Sequence, residues 1–367
     1  MNLLYIITGL GMGGAEKQTV LIANKMYEAG HNVMIISLTG ETLVRPNDGI
    51  QLNEMKLSKT PFSLFKGLCE VKKIIKKFKP DIVHSHMFHA NLFARILRVF
   101  TKIPVLICTA HSTNEGSSLR MLAYKYTDKL ASLSTNVSQD AVNSFISKGA
   151  SSAGRMIVVS NGIDAFQFDC SMDDRGAKRS ELGIFDDTPI LLSVGRLTEA
   201  KDYPNLLTAF SLLIKDNSLQ SFPQLFIVGT GHLDGYLKNM SKEFGIDKYV
   251  TFIGQRDDIR QLMCAADIFV LSSEWEGFPL VITEAMACKK MIVATDAGGI
   301  TEALGDCGLI VPIKDPNSLS QAINKMIKLS DKEKEIFGNK ARERIIQTNS
   351  IDKIIERWMS IYAQFKK

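Results

Sequence analysis

The chain has 367 residues, enough for about two domains of ordinary size, and its 45% hydrophobic and 23% charged residues are those of a globular protein in water. The net charge of +5 is modest, and nucleic acid is not an expected partner, because no aromatic residues interleave the lysines as stacking platforms. No apolar run is long enough to span a bilayer, and the amino terminus enters a strand directly, without the basic segment and cleavage site of a secretory leader. Residues 3–8 read as a strand that runs into Gly9-Leu10-Gly11-Met12-Gly13-Gly14 and a helix over 15–29. A second strand follows at 33–38. In the helix expected over 64–78, Leu68, Val71, Ile74, Ile75 and Phe78 share one face and Lys72, Lys73, Lys76 and Lys77 surround the rest. Such a helix can pack its apolar side inward and turn its lysines toward anionic lipid. Pro80 ends it, and strands follow at 82–85, 105–109 and 133–137.

Residues 155–164 read as a strand ending in the Asn161-Gly162 turn. Residues 169–178 are polar and charged and read as a linker, which puts the domain boundary at 165–185. Strands at 190–194, 225–228, 250–253, 268–271 and 291–294 then end at glycine-bearing loops, where α/β folds place ligands. An amphipathic helix over 351–365 closes the pattern. Strand, glycine turn and helix in repetition predict parallel sheets covered by helices on both faces.

Gly9, Gly11 and Gly14 fit the dinucleotide fingerprint G-x-G-x-x-G, so an NAD(P)-dependent oxidoreductase is one reading. The acidic residue that should end the second strand is missing, since the chain there runs Ile35-Ile36-Ser37-Leu38-Thr39-Gly40. His84, His86 and His89 invite a metal, but no set of carboxylates accompanies them and no Asp-x-Asp occurs, so no metal is expected. Cys69, Cys108, Cys170, Cys264, Cys288 and Cys307 form no C-x-x-C pair and no metal-ligand spacing, and read as reduced thiols of a cytoplasmic protein.

The most informative segment is Glu276-Gly277-Phe278-Pro279-Leu280-Val281-Ile282-Thr283-Glu284. It joins an apolar strand to a helix, with Pro279 expected at the first helical position. Gly277 lets a ligand approach the backbone, and the amides near Phe278 attract an anion such as a diphosphate. Two carboxylates beside an anion make sense if they accept hydrogen bonds from hydroxyls attached to it, as in a sugar nucleotide. Arg196 and Lys201, after the strand ending at Gly195, supply a fixed fork and a point charge for the same diphosphate.

Glu276 to Glu284 resembles the E-x7-E signature of retaining glycosyltransferases of the GT-B fold, family 4. Arg196 and Lys201 resemble that family's R-x4-K element, and Gly13-Gly14-Ala15-Glu16 its G-G-A-E loop. Asp81 to His86 resembles its D-[IV]-[VI]-H-x-H strand end, and Asn161 to Asp164 its N-G-[IV]-D turn. The resemblance implies an α/β GT-B fold: two doubly wound Rossmann-like domains, 1–170 and 186–348, facing a cleft, with residues 349–367 crossing back to the first. It implies Arg196, Lys201, Glu276 and His111 as reacting-site residues. Around the donor it implies Gly13, Gly14, Gly195, Gly229, Gly231, Ile253, Gly277, Phe278, Pro279, Leu280 and Glu284, and toward the acceptor His86 and Glu16. The implied donor is a nucleotide sugar, most simply a UDP-sugar, used without a metal or other cofactor. The implied acceptor is a polyprenyl-diphosphate-linked or other glycan of O-antigen, lipopolysaccharide or capsule synthesis, at the cytoplasmic membrane face. A non-catalytic sugar-binding protein is a further reading.

Overall fold

A computed structural model describes every residue except 41, 217–218, 220 and 366–367, and separates into two units, Met1–Gly162 with Ile351–Lys367, and Ile163–Ser350. The last two residues of the segment expected over 349–367 thus lie outside the described residues.

The first unit runs β1 (Asn2–Ile7), α1 (Gly14–Glu28), β2 (Asn32–Ser37), β3 (Gln51–Glu54), α2 (Pro61–Phe78), β4 (Ile82–His86), α3 (Phe88–Phe100), β5 (Val105–Thr109), α4 (Ser118–Thr127), β6 (Leu133–Asn136), α5 (Gln139–Ser147) and β7 (Met156–Val158). Its strands form one parallel sheet in the order β3-β2-β1-β4-β5-β6-β7. Alternation along a strand splits the core in two. Leu3, Tyr5 and Ile7 pack in the cluster that holds Val20, Ala23 and Met26 of α1, while Leu4 and Ile6 join Val71 and Ile75 of α2 and Phe93 and Leu97 of α3. Both faces are covered, so β1 can be an unbroken apolar run. Helix α2 begins three residues before the expected start. Pro61 takes its first turn, where a missing N–H costs nothing, and the Thr60 hydroxyl accepts from Ser63 N.

The second unit runs α6 (Met172–Glu181), β8 (Ile190–Val194), α7 (Tyr203–Ile214), β9 (Gln224–Val228), α8 (Asp234–Glu243), β10 (Val250–Gly254), α9 (Ile259–Ala265), β11 (Ile268–Leu271), α10 (Leu280–Ala287), β12 (Met291–Thr295), α11 (Gly299–Leu304), β13 (Leu309–Val311), α12 (Pro316–Ile327) and α13 (Asp331–Asn349). Its parallel sheet has the order β10-β9-β8-β11-β12-β13. The final helix, α14 (Ile351–Gln364), belongs to the first unit, where Ile354, Trp358, Ile361 and Tyr362 enter the core of Tyr5 and Ile7. Among the described residues no helix is long and apolar enough to cross a membrane.

Two expectations are corrected here. Residues 169–178 are not a linker: most of them form α6. Ser171 and Asp174 cap that helix reciprocally, and Arg175 donates to Asp267 at 2.6 Å. The cysteines are not all reduced, because Cys170 and Cys264 form a disulfide with Cα atoms 5.4 Å apart. Their separation of 94 residues leaves no local spacing to read.

Candidate functional site

In each sheet the strand order reverses once, between β1 and β4 in the first and between β8 and β11 in the second. Ligands of open α/β sheets bind outside the carboxyl ends of such strand pairs. The residues singled out above gather at these two places, each within its own unit.

In the second unit, Gly195 and Arg196 follow β8, and Ser272 to Gly277 follow β11. Lys201, in a short turn before α7, forms an ion pair with Glu276. Both side chains are largely buried, and Ser273 Oγ donates to the same Glu276 oxygen at 2.7 Å. Ser272 Oγ donates to the Lys201 carbonyl at 2.8 Å, and Glu274 N to that of Ala200 at 2.9 Å. Arg196 is exposed, and its guanidinium makes no hydrogen bond or ion pair among the described residues. The site thus carries one neutralised cation and one open cation. Sequence reasoning missed Ser272 and Ser273, which look like ordinary turn residues until the two loops are seen side by side.

The loop after β9 lies on the loop after β8. Gly195 N donates to Val228 O at 2.9 Å, Leu197 N to Thr230 O at 2.9 Å, and Gly229 N to Gly254 O at 2.8 Å. A Cβ on Gly229 would overlap the Gly195 carbonyl oxygen, and one on Gly231 that of Leu197. These glycines therefore serve the close approach of backbones. The register slips between Phe252 and Gly254, leaving Ile253 out of the ladder at the end of β10.

Pro279 is the N-cap of α10 rather than its first residue, with φ −75° and ψ 112°. That ψ is outside the helical range, so the helix starts one position later, at Leu280. Gly277, Phe278 and Pro279 are buried, and no side chain caps the helix. Glu284 lies one turn along α10 and is only 8% exposed.

In the first unit, His86 ends β4 and His111 follows β5, and their Nδ1 and Nε2 atoms are hydrogen-bonded at 3.1 Å. The His84 ring lies tilted against that of His86, with centroids 4.1 Å apart, and uses both its nitrogens, with Tyr362 OH at 2.8 Å and Thr109 Oγ1 at 2.6 Å. Those bonds occupy the atoms a metal would need. Burial lowers all three histidines: His84 to about 3, His111 to about 4, and His86 well below its usual range, with the neighbouring imidazoles adding to the shift in His84 and His86. Glu16 sits in the first turn of α1 with its carboxylate over Gly13, and Gly14 begins that helix. Gln18, which the sequence did not single out, is 2% exposed, and its amide has no hydrogen-bond partner among the described residues. His86 Nε2 and His111 Nδ1 share that condition, which marks places a ligand or water can fill.

A pH dependence follows from His84. Its folded value lies below the unfolded value near 6.5, so below that pH the unfolded chain takes up a proton that the folded unit refuses. Stability is complete above pH 6.5 and should fall by about 1.4 kcal/mol per pH unit for this histidine as pH drops toward about 3. Urea midpoints at pH 7 and 5 measure this. His84→Gln should make the slope less steep, His86 and His111 supplying the remainder, and an equal slope in parent and variant would remove His84 as a source.

On α2, the expected apolar face is the buried one: Val71 and Ile75 are in the core, with Leu68, Ile74 and Phe78 packed against it. Lys73, Lys76 and Lys77 are exposed and Lys72 is half-buried. The start of α2 also exposes Phe62 (78%) and Phe65 (65%).

Comparison with known proteins agrees along both units. A family model described as "Glycosyltransferase Family 4" matches residues 12–166, and one described as "Glycosyl transferases group 1" matches 174–344. An Escherichia coli UDP-Gal:alpha-D-GlcNAc-diphosphoundecaprenol alpha-1,3-galactosyltransferase is 26% identical over 313 residues, 81% of this chain and 79% of its own. A Campylobacter jejuni alpha-1,4-N-acetyl-D-galactosaminyltransferase, named for a GalNAc-bearing PP-undecaprenol substrate, is 26% identical over 385 residues, covering 100% of this chain and 99% of its own. Among solved structures, Anabaena HepE in complex with UDP superposes with a TM-score of 0.83 at 23% identity, covering 99% of this chain and 100% of its own. A Rickettsia africae glycosyltransferase gives 0.85 at 22%, covering 99% and 98%. With two parallel Rossmann-like sheets, and with the two family models covering most of both units, this chain belongs to the family 4 glycosyltransferases of the GT-B fold.

Proposed function

We propose that the protein transfers a hexosyl or N-acetylhexosaminyl group from a UDP-sugar to a lipid-linked oligosaccharide in bacterial surface polysaccharide synthesis. The product keeps the donor's anomeric configuration, giving an α-linkage. The observation that carries this reading is the grouping of Arg196 and the Lys201–Glu276 pair at the β8–β11 strand ends, followed directly by α10 with Glu284. The E. coli and C. jejuni relatives, whose names give undecaprenol-linked substrates, support the acceptor class, and the former's UDP-Gal supports the donor.

The chemistry is electrostatic. As the bond from the sugar to the diphosphate breaks, negative charge grows on the leaving group. Arg196, Lys201 and the amides near Phe278 meet that charge with donors already in place. Glu276 holds Lys201 before the donor arrives, and a diphosphate competes for it. Glu276 then accepts from sugar hydroxyls, and Glu284 from the ribose. The backbone near Ile253 receives the base, and Gly229 and Gly231 shape the loop beside it. His111 contacts the transferred sugar, Gly13 and Gly14 the donor phosphates, and His86 and Glu16 the acceptor. The donor phosphate takes the acceptor's proton, so no separate protein base is assigned.

A thermal-shift screen with nucleotide sugars tests the reading. UDP and one UDP-sugar should raise the melting temperature, whereas NAD(P)H should not, and a rise with NAD(P)H alone would return the Gly9-Gly11-Gly14 loop to an oxidoreductase. UDP affinity should survive EDTA, because two cations and a helix N-terminus can replace a metal. Calorimetry in which affinity vanishes with EDTA and returns with magnesium or manganese would overturn that. The lysines of α2 should hold the enzyme at anionic membrane, each adding about 1 kcal/mol that salt weakens. Changing Lys72, Lys73, Lys76 and Lys77 to glutamine should abolish sedimentation with anionic liposomes and leave UDP binding intact. Unchanged liposome binding at low salt would make α2 an ordinary solvated surface.

A further inference from the structure

Three cysteines of the second unit meet although they lie far apart in sequence. Cys170 precedes the N-cap of α6, Cys264 is in the last turn of α9, and Cys288 is the C-cap of α10. Cys170 and Cys264 are bonded, Cys288 is a buried free thiol, and all three sulfurs lie within 4.8 Å of one another. Sulfurs around a tetrahedral zinc, each about 2.3 Å from the ion, stand about 3.8 Å apart. Opening the Cys170–Cys264 bond frees those two sulfurs to move apart toward that spacing. The ligand set is thiol only, which selects soft cations over magnesium or calcium. The surroundings suit the charge. Three thiolates and one divalent ion leave a net negative charge, and two cations, Lys290 and Arg175, the latter also paired with Asp267, are hydrogen-bonded to carbonyls beside it. Arg175 donates to the carbonyls of Cys264, Ala265 and Ala266 at 3.4, 2.9 and 3.2 Å, and Lys290 donates to those of Cys264 and Ala266 at 3.2 and 3.1 Å. Cys170 is half-buried and offers the way in, while Cys264 and Cys288 are buried.

We propose that Cys170, Cys264 and Cys288 form a redox-gated site for one soft, filled-shell cation of the zinc class. Two equivalents of a small thiol reduce the Cys170–Cys264 bond and leave joined as their own disulfide, giving two protein thiols. Binding of the cation then releases three protons to solvent, one from each sulfur. Oxidation by a small disulfide reverses the first step and expels the ion. The site stands apart from the donor reading, since none of these residues is assigned to substrate.

Cadmium titration of the full chain, reduced with a phosphine and desalted without oxygen, tests this. The ultraviolet thiolate-to-cadmium absorption should rise to saturation at one equivalent, be reversed by excess chelator, and be absent while the disulfide is intact. Cys288→Ser and Cys170→Ser should each weaken binding by at least about tenfold, and Cys69→Ser, an exposed thiol elsewhere, should leave it unchanged. No absorption from the reduced parent, or equal affinity in parent and Cys288→Ser, overturns the site. A second measurement needs no variant. Zinc should raise the melting temperature of the reduced parent and not of the disulfide form, and the same shift in both states, or none, overturns it as well.

Discussion

Arg196→Ala should lower transfer turnover by about two to three orders of magnitude, the size of one lost preorganised electrostatic contact, while the melting temperature stays at the parent value. The second half of that expectation comes from the side chain's surroundings. The guanidinium is exposed and makes no hydrogen bond or ion pair among the described residues, so removing it deprives the fold of nothing. Lys201→Ala should cost similar turnover but also stability, because it leaves the Glu276 carboxylate, 13% exposed, with Ser273 in place of a cation. The pair of variants therefore separates the two roles: loss of rate alone at position 196, loss of rate and of melting temperature at 201. Steady-state transfer by purified, folded enzyme and UDP calorimetry decide it. Parent-like turnover in Arg196→Ala would remove that residue from the diphosphate site. A parent-like melting temperature in Lys201→Ala would mean that the Glu276 pair contributes nothing to the fold.

What the sequence made legible was local. In the second unit strands run into glycine-bearing loops, because a parallel sheet brings its loops together at one edge, and that recurrence is visible along the chain. Arg196 and Glu276 could be singled out because each lies within a few residues of a strand end, and Glu284 because of its spacing from Glu276. The features that escaped depend on distance. The hydrogen bond from Tyr362 to His84 spans 278 residues, and the Lys201–Glu276 pair 75. Nothing near Tyr362 announces that its hydroxyl will meet a histidine on β4. Residues 169–178 looked like a linker because their composition is polar. Their order comes from the Ser171–Asp174 cap and from Arg175 reaching Asp267, and polar composition hides both. Gln18 escaped for the opposite reason, since an amide on an amphipathic helix looks exposed until the helix is docked.

Gly229→Ala should destabilise the second unit by about 3 kcal/mol or more and abolish UDP binding, although residue 229 need not touch the ligand. Two effects act together at this position. Its φ is +135°, which side-chain-bearing residues rarely adopt, and the added methyl would fall on the carbonyl oxygen of Gly195. Neither neighbour can yield cheaply, because Gly195 N is bonded to Val228 O and Gly229 N to Gly254 O, joining the ends of β8, β9 and β10. Moving that junction moves the loop that carries Arg196, so affinity should fall with stability. Gly235→Ala is the control. Residue 235 is in the first turn of α8, no heavy atom beyond its chain neighbours and its own helix backbone lies within 4 Å of its added methyl, and the change should be neutral or stabilise by up to about 1 kcal/mol. The two tryptophans report separately, Trp275 in the second unit and exposed by 43%, Trp358 in the first and buried. In urea, Gly229→Ala should bring the Trp275 transition to lower denaturant while that of Trp358 stays near its parent midpoint. If the Trp275 midpoint and the UDP affinity both match those of the parent, the loops after β8 and β9 have room for a side chain, and the donor site does not depend on their close approach.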